Sequence, residues 1–263
     1  RRGISEDHII SKRYTEMDIP ENITAKQMYD ELLEAMKGKG HCYLLLDEIQ
    51  EIDGWEKAVN SLLEGADADI YVTGSNSKLM SSEISTYLTG RYVSIPVYTL
   101  SFKEYLNFKA DSTLSRKELL EEYIRFGGFP IIALSEYDEQ SAYQIVNGIY
   151  HTVVSRDIVK RHRINKHDLF DRVVKYIIEN MGKTFSANSI STFLKSEHRK
   201  VSVESIYNYL RWLEQAFIIY PCERYDLQGK SILKTQEKYY LSDVSLKYAL
   251  LGYNRKMLDG AME

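Results

Sequence analysis

The chain has 263 residues, of which 44% are apolar, so it can bury a sizeable core and more than one domain. Its 14 glycines and 4 prolines exclude a low-complexity chain, and no apolar run approaches the roughly 18 residues of a membrane helix, so a soluble protein with no membrane partner is expected. The net charge of −4 alone points to no particular partner.

Cys42 and Cys222 lie far apart without a CxxC pair, which argues against a disulfide scaffold or a cysteine zinc site and points to the reducing cytoplasm. The chain begins at Arg1 with no charged-then-apolar leader, as expected of a fragment of a longer protein without a signal peptide. Charge is uneven. Residues 151–211 carry twelve Lys/Arg against six Asp/Glu, net +6, which leaves −10 for the rest. His151, His162, His167 and His198 add to this basic module as pH falls toward their ordinary pKa of about 6.5.

In chain order, residues 8–14 predict a short strand, and Thr24 with Gln27 forms a capping box that opens a helix to Met36. After the Gly38-Lys39-Gly40 turn, Tyr43-Leu44-Leu45-Leu46 is a continuous apolar run, expected to be a strand buried on both faces. Asp53 with Glu56 opens the next helix, which ends near Gly65. Residues 69–74 predict a second buried strand and residues 92–98 a third, followed by a helix over 101–108. This alternation is α/β, a parallel sheet with crossover helices.

Beyond Ser115 the pattern is helical, over 115–125, 138–160 and 168–180, with a break at Gly127-Gly128-Phe129-Pro130. Helices over 186–194 and 202–217 and strands over 218–225 and 231–241 then read as a winged helix, with Ile206, Leu210, Leu213 and Phe217 toward its core and Asn208 and Arg211 outward.

The chemistry sits in Leu44-Leu45-Leu46-Asp47-Glu48, a buried strand ending in two acids, the pattern of a Walker B segment. At the carboxyl end of such a strand Asp47 can hold Mg²⁺ through water while Glu48 polarises an attacking water. Taken alone, four apolar residues and two acids are a weak signal and more often describe a strand running into a solvated loop. The strand ending Thr73-Gly74-Ser75-Asn76 comes next, and Arg91 precedes the third strand.

The order of these motifs resembles AAA+ ATPases. LLLDEIQEIDGWEKAVNSL, DIYVTGSNSKLMSSEISTYLTGRYVSIPVYTLSFKEYL, FGGFP and KYYLSDVSLKYALLG are similar to the predicted AAA+ ATPases of archaea and bacteria, in which an AAA core precedes a winged helix and a nuclease-like carboxyl-terminal domain. The resemblance implies a P-loop NTPase-type core over 1–110, a helical lid over 111–167, a winged helix over 168–241 and the start of a further domain over 242–263. It implies ATP and Mg²⁺ as cofactors. Asp47 would be the magnesium-associated acid, Glu48 the water-activating acid, Ser75 or Asn76 the γ-phosphate sensor, and Arg91 an arginine finger acting on a neighbouring subunit of a homo-oligomer. Gly-Ser-Asn is also good turn chemistry, and Arg91 also suits a surface salt bridge.

The family's phosphate loop, GxxxxGK(S/T), is absent. Met181-Gly182-Lys183-Thr184 lacks the upstream glycine, where Ile177 stands, and Gly38-Lys39-Gly40 lacks the hydroxyl residue. In this fold the missing strand belongs between the sensor strand and the last strand, so the loop is expected before Arg1 or in an omitted segment. No acid-plus-lysine nuclease core is visible, and Asp243 reads as a strand-end or cap residue. His162 and His167, five residues apart, complete no metal site. Two functions remain: an ATPase that moves its winged helix, or a DNA- or protein-binding winged-helix protein on an inactive AAA-like scaffold. The DNA-contact candidates are Lys195, Arg199, Lys200, Arg211 and Lys230.

Overall fold

The computed structural model describes residues 3–17, 19–20, 22–74, 88, 90–222 and 237–252. The chain divides into two compact units, Arg1–Ile95 and Pro96–Glu263.

The first unit runs β1 (Ile9–Arg13), α1 (Ala25–Met36), β2 (Cys42–Asp47), α2 (Trp55–Gly65) and β3 (Ala68–Val72). The strands form one parallel sheet in that order, with Ile10 opposite Leu44 and Leu44 opposite Ile70. The Thr24–Gln27 capping box is present and opens α1, satisfying N–H groups that no helical carbonyl reaches. α2 starts at Trp55 rather than Asp53, because Gly54 at φ 76° takes the left-handed turn that glycine tolerates best.

β2 is buried on one face, not two. Leu44 is fully buried while Leu45 is 39% exposed. Right-handed crossovers that step in one direction across a sheet lay their helices on the same side. α1 and α2 accordingly pack together, and Met28, Leu32, Trp55 and Leu62 join Leu44 and Leu46 in one core. The expected strand over 92–98 is also corrected. It has no ladder partner among the described residues, and Val93, Ile95 and Val97 are exposed. An extended segment becomes a strand only when a neighbour satisfies its backbone groups.

The second unit contains α3 (Phe102–Phe108), α4 (Arg116–Phe126), α5 (Pro130–Ala133), α6 (Glu139–Val153), α7 (His167–Glu179), β4 (Thr184–Phe185), α8 (Ala187–Ser196), α9 (Val203–Gln215), β5 (Ile219–Cys222), β6 (Glu237–Leu241) and α10 (Ser245–Leu251). Capping boxes at Ser101–Glu104 and Ser115–Glu118 start α3 and α4. The helix expected over 138–160 is α-helical only to Val153 and continues as a π segment, Val154–Lys160. Val146, Tyr150, Val154 and Ile158 recur every four residues and are all buried. A 3.6-residue turn would rotate that stripe off the core, and the wider π turn brings it back.

β4, β6 and β5 form an antiparallel sheet in the order β4-β6-β5 beside α7, α8 and α9. Ile206, Leu210 and Leu213 are buried as expected, but Phe217 is exposed. α9 ends at Gln215, and Phe217 lies beyond it at φ 55°, off the helical face. Tyr209 instead packs edge-on against Phe170.

Asp243, just past β6, is buried and ties three segments together. It accepts N–H bonds from Gly128 at 2.8 Å and Ser245 at 3.0 Å, while Leu100 N–H donates to the Gly128 carbonyl at 2.7 Å. Burial pushes its carboxyl pKa up, and these donors pull against that shift. Among the described residues, no helix is long and apolar enough to cross a membrane.

Candidate functional site

β2 is the middle strand of the described sheet and delivers Asp47 at its carboxyl end. The next residue, Glu48, adopts φ 54°, ψ 40°, the left-handed region, where a residue with a Cβ is strained by about 1–2 kcal/mol. That turn takes the chain off the sheet into the short 3₁₀ helix Ile49–Glu51.

Both neighbouring strands reach Asp47. Arg13, its ladder partner on β1, donates through Nε to one carboxylate oxygen at 3.1 Å. Thr73, the residue after β3, donates its hydroxyl to the other oxygen. Thr73 is itself fixed by its backbone: its N–H donates to the Leu46 carbonyl at 2.9 Å, and its carbonyl accepts the Ile49 N–H at 3.2 Å. Gln50 donates its amide N–H to the Glu48 carboxylate, while the buried Gln50 Oε1 has no partner among the described residues. A buried acceptor left unpaired costs about 1–3 kcal/mol, so this corner has capacity for one more donor.

The donors fit a hydrated Mg²⁺. Asp47 and Thr73 place hard oxygen atoms side by side, and this ion keeps most of its waters and takes one or two protein carboxylates together with substrate phosphates. Among the described residues, no group of three or more His, Cys, Asp or Glu could hold a metal by itself. Nothing in this chain's sequence supplies the matching phosphate loop.

The structure thus brings Asp47 and Glu48 together with two residues that the sequence reading did not assign, Arg13 and Thr73. Their signal was positional, since Arg13 ends one strand flanking the Leu-Leu-Leu-Asp-Glu run and Thr73 directly follows the other. Ser75, Asn76 and Lys230 lie outside the described residues. Arg91 is held on α2 by Glu64 at 2.8 Å and Asn60 at 3.2 Å, with no bond to Asp47 or Glu48. These hydrogen bonds from Arg91 and Asn60 lower the Glu64 carboxyl pKa.

In the basic module Arg199 is engaged by Asp168, and Arg211 donates to Asn208 at 2.8 Å. Lys195 and Lys200 are exposed. His162 stacks flat on Trp212, with ring centroids 4.0 Å apart, and burial there, beside Arg161 and Arg211, lowers its pKa.

Residues 5–106 match the AAA domain family, and residues 117–256 match a family described as a domain of unknown function, DUF8612. The chain belongs to the DUF8612 family, and its amino-terminal part matches the AAA domain family. An uncharacterized protein of Haemophilus influenzae is 35% identical over 257 residues, covering 96% of this chain and 63% of that protein. One from Methanocaldococcus jannaschii is 34% identical over 238 residues, covering 87% of this chain and 53% of the relative. The chain therefore spans roughly half to two thirds of the length of these relatives. Its fold is shared with the Walker-type ATPase PABY2304 of Pyrococcus abyssi, with a TM-score of 0.58 at 14% identity over 92% of this chain and 84% of that one. In open α/β sheets generally, ligands bind in the crevice at the carboxyl ends of the strands.

Proposed function

We propose that this chain carries the metal-side half of an ATP site in a cytoplasmic, homo-oligomeric ATPase that couples nucleotide binding and hydrolysis to movement of a winged-helix module. The observation that carries this reading is the cluster at the strand ends, where Asp47 is held from both sides by Arg13 and Thr73, next to Glu48. Asp47 and Thr73 are the residues that would hold hydrated Mg²⁺, and Glu48 would orient and polarise the attacking water. Bound Mg²⁺ would neutralise phosphate charge and template the in-line displacement. The Thr73 hydroxyl already reads the position of Asp47, and Ser75 or Asn76 would extend that polar edge toward a γ-phosphate. Arg91 would serve a neighbouring subunit as an arginine finger after leaving Glu64. The phosphate loop would ride on a strand added beside β3, an edge strand of the described sheet.

The test is Mg²⁺-dependent ATP binding by this chain and by its longest natural form, followed by Glu48→Gln in whichever form turns over. The variant is expected to retain ATP while hydrolysis falls about 10²-fold or more. Unchanged hydrolysis removes Glu48 from the role, and absence of binding in both forms makes the core a scaffold.

A second reading, DNA binding by the winged-helix module, is favoured by the charge of residues 151–211, net +6. Lys195, Lys200 and Arg211 would be its phosphate contacts, with Lys230 at the wing, while Arg199 would first have to leave Asp168.

A further inference from the structure

α4 presents two different faces. Leu119 and Tyr123 pack with Tyr105 in a small core, whereas Glu118, Glu121, Glu122 and Arg125, spaced three and four residues apart, line one wall of an open groove. The segment after α3 and the turn between α5 and α6 supply the remaining walls. Phe126 and Ile132 give the groove an apolar floor, and Phe108, Leu114 and Leu134 stand exposed along it, Leu134 by 69%. Its volume of ≈ 1260 Å³ exceeds the ~300–1,000 Å³ of ordinary small-molecule pockets, and exposed apolar surface of this kind marks a macromolecular contact.

The charge on the walls restricts the occupant. Five carboxylates face two cations. Lys109 is paired with Glu122 at 3.3 Å, and Arg125 with Glu139, so Asp111, Glu121 and Glu136 carry no ion pair among the described residues. Such a rim repels nucleic-acid phosphates and anionic lipid and attracts a cation. The apolar floor meanwhile needs apolar side chains, which a merely basic peptide lacks. A helix with a Leu/Phe stripe flanked by Lys or Arg satisfies both demands. From this complementarity we propose that the groove docks a basic amphipathic helix of a partner protein. The inference is independent of the ATP-site reading.

The test titrates the whole chain into a fluorescent peptide of about 18 Leu and Lys residues at helical spacing, and into a scrambled peptide of identical composition. The patterned peptide is expected to bind about tenfold or more tightly than the scrambled one, with affinity falling as salt rises. Glu121→Lys with Glu136→Lys, and separately Leu134→Ser, should each weaken it by about tenfold. All three positions are exposed, so circular-dichroism melts should match the unaltered chain and separate lost docking from lost folding. Equal binding of the two peptides, or unchanged binding by both variants, overturns the proposal. So does concentration-dependent self-association that the double variant abolishes, because the groove would then belong to a second copy of this chain.

Discussion

In the first unit the helices cover one face of a three-stranded parallel sheet and leave Leu45 and Tyr71 half-exposed on the other. In the second, apolar residues from Ile132 to Leu246 join in one continuous core shared by α6, α7, α8, α9 and the antiparallel sheet. The difference teaches where chemistry and rigidity reside. The first unit concentrates polar groups at the strand ends, held by a few side-chain bonds, whereas the second is pinned internally by the Asp243 carboxylate and the Gly127-Gly128 break.

The strongest challenge to this contrast is Gly128→Ala. A Cβ at Gly128 would overlap the Leu100 carbonyl, and one at Gly127 would overlap the Asp243 carboxylate, with backbone involved in the first case. We expect a loss of about 3 kcal/mol or more in the second unit. Hydrogen exchange read by mass spectrometry should show faster exchange across α7 and α9 and unchanged protection in β2. Equal loss in β2 would mean that the two units are not energetically separate.

A smaller effect sharpens the reading of the strand ends. If Glu48 is held in the left-handed region by the fold, Glu48→Gly should be more stable than Glu48→Ala by about 1 kcal/mol, since both remove the carboxylate and only glycine tolerates the angle freely. Urea denaturation of the two variants measures this, and an equal midpoint would show that the turn relaxes.

The smallest effects are electrostatic and have opposite signs in the two units. Hydrogen bonding to Asp67 leads the causes that raise the His41 pKa, with Asp69 assisting, while burial leads those that lower His162. His41 therefore contributes stability that is full below its unfolded pKa and is lost as pH rises through its higher folded value. His162 contributes stability that is present above its unfolded pKa and is lost as pH falls through its lower folded value. Proton NMR titration should give midpoints on opposite sides of about 6.5, with His41 above and His162 below. Asp67→Asn should move only the His41 midpoint, downward.

The start of α1 was legible because a capping box is a local device: Thr24 with Gln27 needs only three residues to specify where the helix begins. The failures were non-local. Tyr43-Leu44-Leu45-Leu46 reads equally well as a strand covered once or twice, and residues 92–98 have strand composition without a strand's partner. Asp47 and Glu48 were visible as acids closing an apolar run. The hydroxyl and guanidinium that hold Asp47 come from residues 26 positions later and 34 earlier, at distances that no local pattern encodes.

By itself the sequence determined the alternation of strands and helices, the two acids at a strand end, and the basic helical module, because side-chain period, caps and charge are properties of neighbouring residues. Only the tertiary structure decided which sheet face is covered, that Thr73 and Arg13 flank Asp47, that Asp243 ties Gly128 to Ser245, and that α4's acids line a groove. These depend on ladder register and on which side each crossover falls, and both are settled when distant segments meet.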